Sequence, residues 1–302
     1  MYDTDNLVDI KDKIAELSNK PNTFLWVAAK KSFSKPKTGR YLLKAGMSNN
    51  DLVNMLRSGN QTAVKVSFNN QDSLEKFASR IAAQLELDSI SILTSFSDKN
   101  FLNEHQFSKK SVFQICIPNS YQFYWTVSAD NFRDKLLSEY NRFWTSSRLE
   151  KAKALKMSKN EIITLASIVQ KETTKKAERP IVAGLYLNRL QNDWPLQADP
   201  TIIYCIKELK GQNYSVKRVL KVDLLINSPY NTYQNRGLPP AQIAMPDISA
   251  IDAILNAQKH NYYYMCADIN KIGYHQFAKT LAQHNRNAVK YQNWLNKKGI
   301  NR

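Results

Sequence analysis

The sequence predicts an α+β protein, long enough for one large or two modest domains. Three observations predict it. Apolar residues recur at helical spacing in several stretches, such as Leu74, Phe77, Ile81 and Leu85, or Ile181, Leu185, Tyr186 and Leu190. Short alternating or continuously apolar runs, among them Val64–Phe68 and Tyr262–Ala267, read as strands. The chain has 302 residues, 43% of them hydrophobic, which is enough to bury a full core and too apolar for wholesale disorder.

The elements follow in order. Thr38–Tyr41 reads as a turn. Ser48 is a suitable N-cap and Gly59 a suitable C-cap for an amphipathic helix with Leu52, Met55 and Leu56 on one face. Val64–Phe68 alternates like a half-buried strand, and Ser73–Leu85 reads as a helix. Phe113–Ile117 reads as a short buried strand. The aromatics that follow it, Tyr121, Tyr124 and Trp125, read mainly as core, although such rings also stack on sugars. Ala129–Glu150 is helical. Ser158 with Glu161 forms a capping box that starts a helix running to about Lys175. Glu178 and Arg179-Pro180 open the next helix, which ends near Leu190. A tryptophan-proline turn leads into Leu196–Thr201, and a polar turn occupies Ser228–Tyr233. Ile248–Ala257 is an amphipathic helix, and Tyr262–Ala267 a buried strand.

Charge and composition exclude several classes. With 43 Lys and Arg against 26 Asp and Glu the net charge is +17, but the cations are scattered, with no long run. Such a surface suits anionic lipids or cell-wall polymers as well as nucleic acid, and the usual nucleic-acid signatures are missing. Cys116, Cys205 and Cys266 lack metal-ligand spacing and read as buried thiols. The four histidines form no zinc pattern, and neither a glycine-rich phosphate loop nor a Gly-x-Ser-x-Gly elbow occurs. No run approaches the roughly 18 apolar residues of a membrane helix, and no signal peptide is visible.

Glu172 is the chemically unusual residue. On the helical wheel Leu165 and Ile168 lie within about 40° of it and Val169 within about 60°. A carboxyl on that apolar face loses hydration, its pKa rises, and it can hold a proton near neutrality, as a general acid must. The alternative is a helix-edge glutamate paired with a lysine.

Six blocks around this residue resemble one family. They are Ala166-Ser167-Ile168-Val169-Gln170-Lys171-Glu172; Glu178 with Asn188-Arg189-Leu190; Leu196-Gln197-Ala198-Asp199-Pro200-Thr201 with Tyr204; Ser228-Pro229-Tyr230-Asn231-Thr232-Tyr233; Gly237-Leu238-Pro239-Pro240; and Gly273-Tyr274-His275-Gln276-Phe277 with Leu281-Ala282-Gln283-His284-Asn285. In this order and spacing they resemble the YceG-like endolytic murein transglycosylases (MltG), most densely from Ile117 to Asn296. Departures are Gln170, where the family often has a second glutamate, and Ala241–Pro246 after the Gly-Leu-Pro-Pro block.

The resemblance implies a LysM-like subdomain at 1–68, a connecting helical region at 69–112 and a lysozyme-like catalytic domain at 113–302. It implies endolytic, non-hydrolytic cleavage between N-acetylmuramic acid and N-acetylglucosamine in peptidoglycan. The ends formed are 1,6-anhydro, and the enzyme acts as a terminase of nascent strands. One carboxyl group suffices, because the tethered C6 hydroxyl of the sugar is the nucleophile, so Glu172 is assigned first as acid and then as base. Gln197, Asp199, Thr201, Tyr204, Ser228, Tyr230, Asn231, Thr232 and His275 are the expected substrate-binding residues. Asp199 is equally readable as a helix N-cap and Ser228–Thr232 as plain turn chemistry. Glu178 is expected to meet a helix dipole or Arg189. No metal or cofactor is implied. The implied partners are glycan strands and, as neighbours, penicillin-binding synthases, at the periplasmic face of the plasma membrane. The family's single N-terminal anchor is expected to have been removed from this chain or never present. Two other readings stay open at this point: a glycan-binding module without turnover, and a basic nucleic-acid-binding protein.

Overall fold

The structure is a computed structural model that describes residues 5–15, 20–44 and 46–298. The outermost residues of the expected first and last domains, 1–4 and 299–302, lie outside the described residues. In chain order the helices are α1 (Leu7–Ile14), α2 (Pro21–Lys30), α3 (Asn49–Ser58), α4 (Leu74–Ala82), α5 (Ser89–Phe96), α6 (Lys99–Glu104), α7 (Ala129–Phe143), α8 (Ser146–Ala154), α9 (Lys159–Glu172), α10 (Arg179–Gln191), α11 (Asp199–Lys210), α12 (Ile248–Leu255) and α13 (Leu281–Lys297). The strands are β1 (Val64–Phe68), β2 (Asn119–Phe123), β3 (Tyr264–Ala267) and β4 (His275–Ala278), and short 3-10 turns occupy Val112–Ile115 and Asp223–Leu225. Helices and small antiparallel sheets coexist, as the α+β reading expects. Among the described residues no helix is long and apolar enough to cross a membrane.

The chain divides into two compact units. The first comprises Met1–Phe68, Ala78–Ser95 and Asn119–Arg133. Its helical core joins Ile10 and Ile14 of α1, Phe24 and Ala28 of α2, and Leu52, Val53 and Leu56 of α3. The Ser48 hydroxyl accepts the Asp51 N–H, and Gly59 ends α3 in the left-handed region, so both expected caps are present. β1 pairs antiparallel with β2, from Val64 opposite Phe123 to Phe68 opposite Asn119.

The second unit comprises Asn69–Phe77, Phe96–Pro118 and Asp134–Arg302. Its centre is α9, in which every residue from Ile162 to Gln170 is buried. A helix that is apolar all round must be enclosed by others, and α9 packs against α8, α10, α11 and α12. The Ser158–Glu161 capping box starts it as expected. It ends at Glu172, earlier than Lys175, because Thr173 turns into extended backbone with φ −137°. Two further expectations are corrected. Phe113–Ile117 is buried but forms no strand: its first three residues lie in the 3-10 turn Val112–Ile115, and the Cys116 and Ile117 N–H groups bond back to the Phe113 and Ile115 carbonyls. The Ala129–Glu150 helix is broken at Thr145, whose hydroxyl caps α8 by accepting the Arg148 N–H.

α10 lies so close to the segment after α12 that a Cβ on Gly184 would sit 2.2 Å from the Gln258 carbonyl oxygen. Backbone cannot yield cheaply, so Gly184→Ala is expected to cost about 1–3 kcal/mol. A lower thermal midpoint with an unchanged far-UV spectrum is the expected reading, and an unchanged midpoint would contradict this packing.

Candidate active site

α9 delivers Glu172 to the wall of a cleft of about 630 Å³, within the size range of saccharide and cofactor sites. α10 faces it with Tyr186 and Arg189, the start of α11 with Asp199, the preceding turn with Gln197, β4 with His275, and α13 with His284 and Tyr291. The Tyr186 hydroxyl donates to Glu172 Oε1 at 2.6 Å. Among the described residues no lysine or arginine forms an ion pair with Glu172. The adjacent Lys171 instead binds Asp72 at 2.6 Å, and Lys175 lies over the Tyr274 ring. The expected alternative of a lysine-paired surface glutamate is therefore not what the geometry shows.

Burial lifts the Glu172 carboxyl to about 7, outweighing the Tyr186 hydrogen bond and the charge of His275, which lower it; the charge of Asp199 also raises it. At neutral pH the group is poised between acid and conjugate base.

A second carboxyl, Asp199, faces the same cleft and accepts a hydrogen bond from the Tyr233 hydroxyl at 2.6 Å. Asp199 is not the N-cap of α11: that position is Ala198, and Asp199 is the first helical residue, with Pro200 second. The turn before it is strained, as Gln197 has φ 49° and is held there by its N–H bond to the Thr232 carbonyl.

The structure thus brings Gln197, Asp199 and His275 to the cleft with Glu172, and places the other six expected binding residues elsewhere. Thr201 and Thr232 are fully buried and bond each other at 2.8 Å, while Thr232 Oγ1 accepts the Ala198 N–H; together they bolt down the start of α11. Asn231, also buried, donates to the Leu224 and Ile226 carbonyls and accepts from the Tyr233 N–H. Tyr204 and Tyr230 pack against each other with ring centroids 4.6 Å apart and planes tilted by 37°, and neither lines the cleft. Ser228 accepts the Tyr230 N–H within its own turn. The Thr232, Ser228 and Asn231 side chains satisfy backbone groups that would otherwise be buried without partners.

Glu178 is the N-cap of α10, at the positive end of the helix as expected, but its carboxyl makes no cap bond and does not pair with Arg189. It is buried and grips His275, accepting its backbone N–H at 2.6 Å and facing its ring Nδ1 at 2.9 Å, which ties β4 to the start of α10. Arg189 donates to the Tyr263 and Leu196 carbonyls and so holds β3 and the Gln197 turn against α10. Gln170 is structural: its amide donates to the Met245 carbonyl and its oxygen accepts the Asp247 N–H, a pairing an ionised glutamate could not make. Cys116 and Cys205 are buried thiols as expected, whereas Cys266 is half-buried on the cleft wall.

Sequence reasoning passed over Tyr186 and Tyr233, the two hydroxyls on the carboxyls. Tyr186 reads as one more apolar position of α10, and Tyr233 closes a block whose earlier residues attract the attention. Tyr264, stacked on His284 at 5.4 Å, was likewise read as strand core.

The sequence profile of the YceG-like family matches residues 3–290. The chain belongs to the YceG-like family. It is 31% identical over 277 residues to an endolytic murein transglycosylase of Bacillus subtilis, covering 86% of this chain and 74% of that protein. It is 27% identical over 297 residues to the endolytic murein transglycosylase of Streptococcus pneumoniae, covering 89% of this chain and 53% of that one. Among solved structures, a yceG-like protein from Listeria monocytogenes superposes with a TM-score of 0.62 at 27% identity, over 94% of this chain and 96% of the other.

Proposed function

We propose that this YceG-like protein is an endolytic murein transglycosylase with Glu172 as its acid and base. The observation that carries the reading is the Glu172 carboxyl: raised to about 7 by burial, hydrogen-bonded by Tyr186, and open to a saccharide-sized cleft. The names of the relatives in Bacillus subtilis and Streptococcus pneumoniae point to the same reaction.

The step runs as follows. Protonated Glu172 gives its proton to the glycosidic oxygen between N-acetylmuramic acid and N-acetylglucosamine. The bond from C1 to that oxygen breaks, and positive charge develops at C1. The C6 hydroxyl oxygen of the same muramyl ring attacks C1, and its proton passes to the Glu172 carboxylate. The acid is regenerated, no water is consumed, and a 1,6-anhydro end remains. Asp199, held by Tyr233, adds negative charge that keeps Glu172 protonated and favours the cationic transition state. Gln197 and His275 are the proposed saccharide contacts on either side.

In this reading the chain acts as a terminase of nascent strands in the cell envelope, beside penicillin-binding synthases, at the periplasmic face of the plasma membrane. Residues 1–68 are proposed to serve as a LysM-like glycan-holding subdomain, joined through the helical region 69–112 to the catalytic domain at 113–302, as the resemblance implies.

The test is the pH dependence of turnover. The acid must be protonated to start the reaction, so the rate is expected to fall as pH rises through about 7. Asp199 raises the Glu172 pKa, so Asp199→Asn is expected to move this alkaline limb to lower pH, with a reduced plateau. A limb that stays in place in Asp199→Asn would remove Asp199 from the mechanism, and a rate indifferent to pH from about 5 to 9 would remove Glu172 as the acid.

A further inference from the structure

The segment from the end of α11 to the second 3-10 turn combines two features that rarely coexist on a closed surface. Leu209 is 71% exposed, Leu220 52%, Val222 66% and Leu225 71%, with Tyr214 44% exposed between them. Earlier in the same helix the apolar residues Ile202, Cys205 and Ile206 are buried, so the exposure begins abruptly where α11 leaves the core. Interleaved with these side chains are the exposed cations Lys210, Lys217, Arg218 and Lys221.

The acids of the segment are already engaged. Glu208 pairs with Lys110, and Asp223 accepts the Leu220 N–H at 2.7 Å. Among the described residues Lys217, Arg218 and Lys221 form no ion pair. The far end of the segment is also held in shape. The buried Asn231 side chain donates to the Leu224 and Ile226 carbonyls, and Gln234 adds a further bond to Leu224. Leu225 is therefore presented from backbone that is pinned on both sides.

We propose that residues 209–225 are a docking surface for an anionic lipid bilayer. Leucine and valine side chains enter the boundary between headgroups and acyl chains, Tyr214 sits at headgroup level, and the four cations meet lipid phosphates. The charge sign selects an anionic surface over a neutral one, and the apolar side chains select a bilayer over a purely polar polyanion. α11 connects this surface to the cleft: its 12 residues run from Lys210 back to Asp199, about 18 Å of helix. Docking here would hold the cleft at a fixed reach from the membrane. The inference rests on the segment alone and does not depend on the catalytic reading.

The test is co-sedimentation of the full chain with vesicles of phosphatidylcholine alone and of phosphatidylcholine with phosphatidylglycerol, at about 0.1 M salt. Two variants separate the contributions: Leu220→Ser with Val222→Ser and Leu225→Ser, and Lys217→Glu with Arg218→Glu and Lys221→Glu. All six positions are exposed, so the fold is expected to persist, with an unchanged thermal midpoint as the check. The chain is expected to prefer the anionic vesicles, and each variant to lose about tenfold or more of that partitioning. Equal binding to both vesicle types, or wild-type binding by both variants, would overturn the proposal. Loss in the charge variant with none in the serine variant would reduce it to surface adsorption and overturn docking. Tighter binding to a single-stranded RNA than to vesicles would assign the surface to nucleic acid instead.

Discussion

Glu172→Gln is expected to lower turnover on peptidoglycan by about 10²–10⁴-fold, the usual contribution of a positioned acid and base. The amide keeps the shape of the carboxyl and can still accept the Tyr186 hydroxyl hydrogen bond, but it can neither deliver a proton to the glycosidic oxygen nor receive one from the C6 hydroxyl. Binding of glycan strands should survive, which separates loss of chemistry from loss of the cleft. The same variant carries a stability signature. In the folded chain the carboxyl holds its proton up to about 7, whereas an exposed glutamate releases it near its ordinary value. The folded state thus binds the proton more tightly, so the wild type loses stability as pH rises through that interval and the loss is complete above it. Glutamine has no such titration. Glu172→Gln is therefore expected to be more stable than wild type at about pH 8, by roughly 1–3 kcal/mol, with the gap shrinking as pH falls towards about 4. Thermal unfolding at several pH values reads it, and a gap that does not vary with pH would mean that Glu172 is not held protonated by its site.

Asp247→Ala is expected to be the most damaging single change outside the cleft, at about 3–5 kcal/mol. Asp247 caps α12 by accepting the Ala250 N–H. It also pairs with Arg179 at 2.7 Å and accepts the Ser249 hydroxyl. The Arg179 side chain is 5% exposed and among the described residues its Nε has no partner, so removing Asp247 strands a buried cation. α12 packs directly on α9, so the loss reaches the helix that carries Glu172. Burial works to raise the Asp247 pKa, but the bonds from Arg179 and Ser249 outweigh it and hold the carboxyl below its ordinary value. Its contribution is therefore present above the ordinary aspartate range and is lost as pH falls through the folded value. Asp247→Asn, which retains a cap acceptor, should cost less than Asp247→Ala. Equal losses would mean that the cap acceptor contributes nothing and that the pair with Arg179 carries the whole effect.

What was legible in the sequence was what neighbouring residues decide. The Ser158–Glu161 box and the Ser48 and Gly59 caps act within one helical turn, so the starts and stops they signal could be read directly. The position of Glu172 on the apolar face of α9 could be read from helical spacing alone, and with it the direction of its pKa shift. What distant residues decide was not legible. Whether Phe113–Ile117 becomes a strand depends on an available partner; β2 forms instead at Asn119–Phe123, opposite β1 more than fifty residues earlier. The polar residues of the Ser228–Tyr233 turn look solvent-facing in sequence. In three dimensions the helix start at Ala198 and the loop at Leu224–Ile226 present unpaired backbone groups, and Thr232 and Asn231 are used to satisfy them. Tyr186 reaches Glu172 only because α10 folds back along α9, which no periodicity announces.

The account rests on Glu172 cleaving without water, and the most direct measurement is mass spectrometry of muropeptides from peptidoglycan digested by the wild-type chain and by Glu172→Gln. The expected result is 1,6-anhydromuramyl ends from the wild type and none from the variant. Reducing ends from the wild type would contradict the mechanism and make the protein a hydrolase, with Asp199 the first candidate for the second carboxylate; anhydro ends from both proteins would contradict the role of Glu172.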